Sequence, residues 1–504
     1  MGQSKLYFGG TVLAGLLLGT SVQAAVTSDQ LWTKWQSYAS AHGATITAGS
    51  KQTVGDTTTL KDVTTTFALK NANADVSMKA AIAEIDLRDL GDGTVKITAA
   101  STINIDESIT SAKGETTDIS LKATQDGGSI IASGSEDDIT YTSAANEVAV
   151  ALDGLTVKGE DIPVDGTVTL SGLNAKQEMK TAADQSVTMT QEGTVDSIAL
   201  VAKGKDTGNK GASFEATGSF AKVAYSGSGT VPVTQATDDF AAMLVAGFTS
   251  NGKLTTGPSS FSANFKQDDK TSAMTSSSDS TELTVSMDKS HLQYGVDSKG
   301  IALNIKDDKL PVPSIDMKLA ESAFNLTMPI AKSDTPQDLA LMTKLDGLSV
   351  NDEVWAMIDP TKALPRDPAT LIVDLSGKGN WLFDLFDAAK MAKPPAKPGE
   401  IQSVTLNQLK VAAVGADLSG TGAVTFDNTS AVPVPSGSVD LKLVGGNGLI
   451  DKFIAMGLLP KDQAMGFRMM LAMFAKPGEG TDTLTSKIEF NKDGSILANG
   501  QRIQ

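Results

Sequence analysis

Apolar and polar side chains alternate along most of this chain, and the alternation constrains its fold more than any other feature. Leu283, Val285 and Met287 alternate with polar residues, and similar patterns recur between residues 49 and 330. Successive side chains of a strand point to opposite faces of a sheet, so this pattern predicts half-buried antiparallel strands. Four of the predicted strands are residues 283–287, 301–305, 315–319 and 324–330.

We therefore predict a mainly β protein with a few helices, built on long antiparallel meandering sheets. Asp-Gly and Asn-Gly pairs tolerate the positive φ angles of tight hairpins and are expected to mark the turns. These pairs are Asp92-Gly93, Asp126-Gly127, Asp153-Gly154, Asp165-Gly166, Asn251-Gly252 and Asp493-Gly494.

An amphipathic helix is predicted near the N-terminus. Thr27 and Gln30 have the spacing of a capping box, and Leu31, Trp35 and Tyr38 follow on one helical face. This face either packs against the first sheet or contacts a partner or a membrane. In the C-terminal third we predict helices packed on the sheet, at residues 380–391, 449–456 and 462–474.

Residues 1–24 have the pattern of a secretory signal peptide. Lys5 precedes an apolar stretch, and Val22-Gln23-Ala24 suits a cleavage site after Ala24. Glycines interrupt the stretch, which is shorter than the roughly 20 apolar residues that span a bilayer. We predict export to the periplasm, with no stable membrane insertion after cleavage.

The amino-acid composition of the mature chain changes near Pro311-Val312-Pro313. The preceding part is rich in Ser and Thr, whereas the following part has more proline and clearer helical patterns. We therefore predict a Ser/Thr-rich antiparallel β region with the N-terminal helix at 25–310, and a β region with packed helices at 311–504.

The composition excludes several kinds of chemistry. The chain has no Cys, 2 His and a formal net charge of −17. No thiolate nucleophile or Cys-ligated metal is available, and a strongly acidic chain is a poor partner for nucleic acid. We predict no metal site, no cofactor, no catalytic residue and no enzyme activity.

Two groups of residues stand out as candidate sites. Methionine is flexible and suits varied apolar partners, so a cluster near the C-terminus predicts either ligand contacts or core packing. The cluster consists of Met456, Met465, Met469, Met470, Met473, Phe467 and Phe474.

The second group is a proline-rich motif. Pro365 and Pro368 restrain the backbone, and Arg366 between Asp359 and Asp367 is a candidate for a carboxylate pair. The alternative is a structural corner that fixes how the next strand enters the sheet. The residues of the motif are Trp355, Asp359, Pro360, Pro365, Arg366, Asp367 and Pro368.

Three segments resemble one family. They are the helix at 31–43, the stretch 345–377 that includes the proline-rich motif, and the closing stretch 437–501. On these the chain is similar to the exported proteobacterial proteins grouped as domain of unknown function 2125. That family has no assigned activity, so the resemblance implies location and architecture but no catalytic residue. The late segments also resemble, in fold only, the AsmA-like envelope proteins that carry lipid along an apolar sheet groove.

Three functions are compatible with these features. The first is a non-enzymatic periplasmic protein that binds a hydrophobic or lipid-like ligand, or an envelope partner, on one apolar sheet face. The second is a structural or adhesion-type exported protein without a small ligand, which the Ser/Thr-rich acidic middle favours. The third is a hydrolase that uses carboxylates, for which no motif was found.

Overall fold

The computed structural model describes residues 25–41, 43–70, 74–205, 211–233, 240–430 and 432–504. The predicted signal peptide lies outside the described residues. The described part is mainly β with a few helices, and its strands pair antiparallel, which confirms the predicted fold class. The chain divides into two compact units, which we call unit 1 (up to Ala273) and unit 2 (from Met274). From the sequence we expected a boundary near residue 310.

Unit 1 contains α1 (Ser28–Ala41), β1 (Ala44–Thr47), β2 (Ser50–Val54), β3 (Thr57–Lys70), β4 (Ala74–Asp89), β5 (Val95–Ala99), β6 (Thr102–Ser111), β7 (Thr116–Asp126), β8 (Ser129–Ser135), β9 (Asp138–Val157), β10 (Glu160–Asp161), β11 (Val164–Thr181), β12 (Val187–Lys205), β13 (Ser213–Val231), α2 (Phe240–Val245), β14 (Thr249–Thr256) and β15 (Ser259–Gln267). The boundary between the units falls within β16 (Lys270–Ser278).

Unit 2 contains β17 (Ser280–Met287), β18 (His291–Asp307), β19 (Ile315–Pro329), β20 (Gln337–Val350), α3 (Asp352–Ile358), β21 (Ala369–Trp381), α4 (Ala388–Ala392), β22 (Gly399–Ala413), β23 (Ala416–Asp427), β24 (Val434–Val444), α5 (Gly446–Ala455), α6 (Lys461–Phe474), β25 (Lys476–Pro477), β26 (Thr483–Phe490), β27 (Ile496–Ala498) and β28 (Gln501–Arg502).

The sheet of unit 1 has a continuous strand order through its middle. That order is β3–β4–β6–β7–β9–β11–β12–β13–β15. Strands β1 and β2 both pair with β3, and β14 pairs with β13. Strands β5 and β8 form a second connection between β4 and β9.

Unit 2 is a meander in chain order. Each strand from β17 to β23 pairs with the strand that follows it, and β24 pairs with β26 across the α5–α6 connection. Strands β25 and β27 also pair with β26. Strands that follow one another in the chain are neighbours in the sheet, both where the connection is short and where it contains α3 or α4.

Helix α1 covers part of the sheet of unit 1. Its capping box forms as predicted: the Thr27 amide donates to Gln30 Oε1 at 3.0 Å, and the Gln30 amide donates to Thr27 Oγ1 at 3.3 Å. Leu31 and Trp35 are buried in the same hydrophobic cluster as strand residues such as Tyr141. The helix therefore packs against the first sheet, which is the first of the two alternatives drawn from the sequence.

One hydrogen bond fixes the helix over a distant strand. The indole Nε1 of Trp35 donates to the Tyr141 hydroxyl at 2.9 Å, and both side chains are buried. Burial raises the pKa of Tyr141 to about 12, although the hydrogen bond from Trp35 acts in the opposite direction. The phenol stays protonated and accepts from the indole, so neither buried polar group is left unpaired.

The apolar positions of several strands change phase in mid-strand. In β18 they are 292, 294 and 296 before Gly300, and 301, 303 and 305 after it. In β11 they are even-numbered before Gly172 and odd-numbered after it. Left-handed backbone lies at or near such changes: Asp62 in β3, Gly172 in β11, Lys222 in β13, Gly300 in β18 and Gly347 in β20 have positive φ. We call these positions the phase-shift residues.

The phase-shift residues keep apolar side chains on one side of the sheet. A residue with left-handed backbone interrupts the pleat, as in a β-bulge, so alternation resumes one step later. Leu60 and Val63 lie on either side of Asp62, three positions apart, which would put them on opposite faces of a regular strand. Both belong to the hydrophobic cluster under α1.

Long strands explain where the sequence prediction differs from the structure. Residues 315–319 and 324–330 were expected to be two strands, but 315–329 form the single strand β19. The Asp-Gly and Asn-Gly pairs at 153, 165 and 251 lie inside strands rather than at turns. The helix predicted at 380–391 is also wrong: Trp381 ends β21, its indole donates to the Pro329 carbonyl at 2.8 Å, and α4 begins only at Ala388.

We expect Gly347→Ala to destabilise the protein by about 2–5 kcal/mol. Its φ is +72° and an added Cβ would lie 2.8 Å from the Ala320 Cβ, so left-handed strain and a steric clash both contribute. The matched control is Gly494→Ala, with a φ of +80° and open space around the new Cβ, for which about 1–2 kcal/mol is expected. Urea unfolding measures both, and equal losses would contradict a packing role for the phase-shift residues.

Candidate binding surface

A row of paired residues crosses unit 2 from β17 to β27. Directly paired residues of antiparallel strands point to the same face, so the register identifies which side chains lie together. The row consists of Val285, Tyr294, Leu326, Leu341, Leu375, Leu406, Gly422, Val439, Ile488 and Ala498. It contains no charged residue and, apart from Gly422, is apolar throughout.

A second row continues the same surface toward the end of the sheet that carries α5 and α6. It crosses six strands and is wholly aliphatic. Its members are Leu345, Leu371, Val411, Leu418, Leu443 and Leu484. We call the side chains of these two rows the apolar face of unit 2.

The apolar face is not a closed core. Tyr294 is 39% exposed, Leu341 38% and Val411 40%. The other members of the two rows are half-buried, and Ala498 at the edge is the one fully buried residue among them. Large aliphatic side chains are normally buried in a folded domain, so this face leaves apolar area that a ligand or partner can cover.

The opposite face of the same strands is more polar. Asn407 Nδ2 donates to Asp374 Oδ1 at 3.0 Å, and Lys344 Nζ pairs with Glu321 Oε2 at 2.6 Å. The hydrogen bond with Lys344 lowers the pKa of Glu321, and the same bond raises that of Lys344. The sheet of unit 2 is therefore amphipathic, with apolar and polar groups on different sides.

Unit 1 has a comparable row across nine strands. It consists of Val63, Ile82, Ile103, Ala123, Val150, Val168, Leu200, Gly218 and Phe261. Val63 and Ile82 pack in or against the cluster under α1, whereas Val150, Val168 and Leu200 are only half-buried. Helix α1 thus covers one part of this row and leaves the rest open.

The methionine cluster lies on α6 and on Met456, the residue that follows α5. Met465 is 66% exposed, Met469 62% and Met473 61%, and Met470, Phe467 and Phe474 are exposed as well. Met456 is half-buried, and the buried residue of α6 is Ala464. The side chains on α6 are therefore not packed into a core, and contact with a ligand or partner stays a prediction.

The proline-rich motif forms a corner between α3 and β21. Trp355 lies on α3, and the Arg366 guanidinium sits 5.7 Å from the centre of its ring. Arg366 Nη1 also pairs with Asp352, rather than with Asp359 or Asp367 as the sequence suggested. Pro360, Pro365 and Pro368 lie in the connection between the helix and the strand, and Asp367 is exposed.

Asp359 organises that corner. Its side chain is fully buried and accepts hydrogen bonds from the Leu364 amide at 2.7 Å, the Ala363 amide at 3.0 Å and the Thr361 hydroxyl at 3.0 Å. Burial acts to raise the pKa of Asp359, but these hydrogen bonds and Arg366 together lower it below the ordinary 3.8. The arrangement satisfies a carboxylate and shapes a loop, which is a structural role.

A second group of titratable side chains lies in the turn between β17 and β18. Asp288 Oδ1 accepts from the Ser290 hydroxyl at 2.6 Å, and Ser290 Oγ lies 2.9 Å from His291 Nδ1. These three residues belong to one hairpin turn, in which Asp288 also accepts from two backbone amides. Among the described residues, no group of three or more His, Asp or Glu side chains could hold a metal ion.

Comparison with known proteins identifies one relationship. The sequence model of a family described as "Uncharacterized protein conserved in bacteria (DUF2125)" matches residues 244–500, about half of the chain, and the apolar face of unit 2 falls within them. No curated protein and no solved structure matches the chain. The looser similarity to AsmA-like envelope proteins therefore stays a prediction. In the part that the structure describes, no helix is long and apolar enough to cross a membrane.

We expect Asp359→Asn to lower the midpoint of thermal unfolding by about 2–4 °C or more at pH 7, because an amide cannot replace all three accepted hydrogen bonds. The pKa of Asp359 is lowered by folding, so its stabilisation is present above pH 4 and is lost as the pH falls below that value. The difference between variant and wild type should therefore shrink below pH 4 in circular dichroism melts. Asp367→Asn is the control, and a pH-independent difference would contradict this account.

Proposed function

The chain belongs to the DUF2125 family of uncharacterised bacterial proteins, and we propose that it is a non-enzymatic protein that binds a lipid-like ligand on the apolar face of unit 2. The continuity of that face supports the proposal. Ten paired positions cross the sheet without one charged side chain, and most of them are only half-buried. A soluble domain rarely leaves so long an apolar row uncovered unless something binds to it.

The dimensions of the face suit an acyl chain. Neighbouring strands lie about 4.8 Å apart, so a row that crosses ten strands follows a path on the order of 40 Å. One acyl chain extends through half of the roughly 30 Å hydrocarbon core of a bilayer, about 15 Å. The row is therefore long enough for an acyl chain at several positions along it, or for more than one chain.

The residue types suit a ligand without a fixed shape. Leu, Val, Ile and Tyr supply apolar contact area, whereas the polar groups that would orient a specific small molecule lie on the opposite face of the sheet. Burial of apolar area contributes about 25 cal/mol per Å², so affinity would grow with the length of chain that is covered. We expect selection for apolar length rather than for one head group.

Export to the periplasm is part of this proposal. The apolar stretch and the Val22-Gln23-Ala24 cleavage pattern support it, as does a chain without cysteine that has no thiol to be oxidised. An envelope compartment would also supply lipid-like ligands. The proposal would lose this component if the chain kept residues 1–24 when expressed in a bacterium.

We expect the native protein to carry lipid in at least stoichiometric amount, and Leu341→Glu to lose most of it. Leu341 lies mid-row between Leu326 and Leu375, so a carboxylate there would be desolvated by any bound acyl chain. Native purification without detergent, followed by extraction and lipid mass spectrometry, measures the lipid per chain.

The matched control is Ala340→Glu. Ala340 precedes Leu341 and is exposed on the opposite face, so the same charge should leave bound lipid unchanged. Circular dichroism verifies that both variants fold. A wild-type protein free of lipid after native purification would contradict the proposal. Equal loss of lipid in both variants would show that the apolar face is not the binding surface.

A further inference from the structure

Helix α6 presents apolar side chains to solvent along almost its whole length. Met465, Met469 and Met473 follow one another at four-residue spacing, each more than 60% exposed. Phe467, Met470 and Phe474 are also exposed and widen this stripe around the helix. On a 14-residue helix whose single buried side chain is Ala464, these apolar side chains face solvent rather than a core.

The hairpin of α5 and α6 is anchored at both ends. The amides of Asn447 and Gly448 donate to Asp482 at 3.2 and 2.8 Å, which holds the start of α5. The Ser486 hydroxyl and Asn499 Nδ2 both donate to the Phe474 carbonyl, which holds the end of α6. The exposed stripe therefore belongs to a fixed element rather than to a free tail.

The hairpin adjoins the apolar face of unit 2. An added Cβ on Gly446, the first residue of α5, would lie 2.6 Å from the Leu443 side chain, and Leu443 belongs to the second apolar row. Exposed apolar residues continue nearby in the chain at Leu458, between the two helices. The hairpin that carries the apolar stripe therefore starts directly at the end of the second apolar row.

The hairpin is basic within an acidic chain. The hairpin itself, residues 446–474, contains three basic and two acidic side chains, a net charge of +1, and Lys476 follows it in β25, whereas the whole chain carries −17. Arg468 pairs with Asp451, but Lys452, Lys461 and Lys476 form no ion pair with any residue that the structure describes. Free lysines beside an exposed apolar stripe are complementary to an anionic lipid surface.

We propose that the α5–α6 hairpin docks on the surface of an anionic phospholipid bilayer, with the Met and Phe side chains of α6 inserted at the level of the head groups. Such helices lie in the interface with their apolar side buried about 5–10 Å, which requires no membrane-spanning length. The docking brings one end of the apolar face to the bilayer. That consequence rests on the proposed function, whereas the docking itself does not.

Vesicle flotation tests the docking directly. We expect the wild-type chain without its signal peptide to float with vesicles that contain phosphatidylglycerol, and less with pure phosphatidylcholine or at high salt. Met469→Glu combined with Met473→Glu should reduce the bound fraction about tenfold or more, because two inserted side chains would become charged. The matched control is Val432→Glu, since Val432 is 76% exposed in the β23–β24 connection, away from the hairpin.

A second measurement uses the absence of cysteine. Met469→Cys or Val432→Cys gives the chain one thiol, which can carry an environment-sensitive fluorophore without competing thiols. Anionic vesicles should shift the emission of the label at 469 to the blue and leave the label at 432 unchanged. Equal responses at both positions, or a folded wild-type protein that does not bind vesicles, would overturn the proposal.

Two further outcomes would separate membrane docking from dimer formation and from the proposed lipid binding. A wild-type dimer that the double Glu variant converts to a monomer, with no vesicle binding, would assign the stripe to a second copy of the chain and overturn membrane docking. Sedimentation velocity measures this. Lipid-free native protein that still floats with anionic vesicles would contradict the proposed function and leave the docking supported, so the two proposals fail separately.

Discussion

Long strands can build an apolar surface only if their side chains stay on the intended side, and here the phase-shift residues maintain that condition. In a strand with a strict period of two, one extra or missing residue would move every following apolar side chain to the other face of the sheet. Asp62 supports this directly, because the leucine and the valine around it share one cluster despite odd spacing. Gly172 and Gly300 lie where the apolar positions of β11 and β18 change phase. The cost is local left-handed backbone, which glycine adopts easily and Asp or Lys less so.

Units 1 and 2 use their apolar surfaces differently. In unit 1, α1 closes part of the row and forms a conventional core with Leu31, Trp32 and Trp35. In unit 2 the helices occur in connections between strands, and the rows across the sheet stay half-buried. Burial of apolar area is the main favourable term in folding, so a surface left open gives up stability that another molecule can restore on binding.

Much of the fold could be predicted from the sequence, because period-two alternation and a capping box are local signals. The strand count could not, since a reversal of phase around Gly300 looks like the end of one strand and the start of another. The helix expected at 380–391 had helical spacing, but pairing of Trp381 with Gly399 across the sheet decided the outcome. The methionine cluster was identified from composition alone. Its exposure depends on how α6 packs in the folded protein, and no local pattern records that.

The contact between Trp35 and Tyr141 has a kinetic consequence. The two residues are 106 positions apart, and the cluster that contains them extends to Ala175. Helix α1 can pack early against β1, β3 and β4, which follow it directly in the chain, whereas its contact with Tyr141 must wait until β9 has been synthesised. Closing so long a loop costs entropy before any contact repays it, and folding rates fall as contacting residues lie further apart in the chain. The cluster under α1 can therefore begin to form from neighbouring elements and is completed only when Tyr141 and Ala175, much later in the chain, join it.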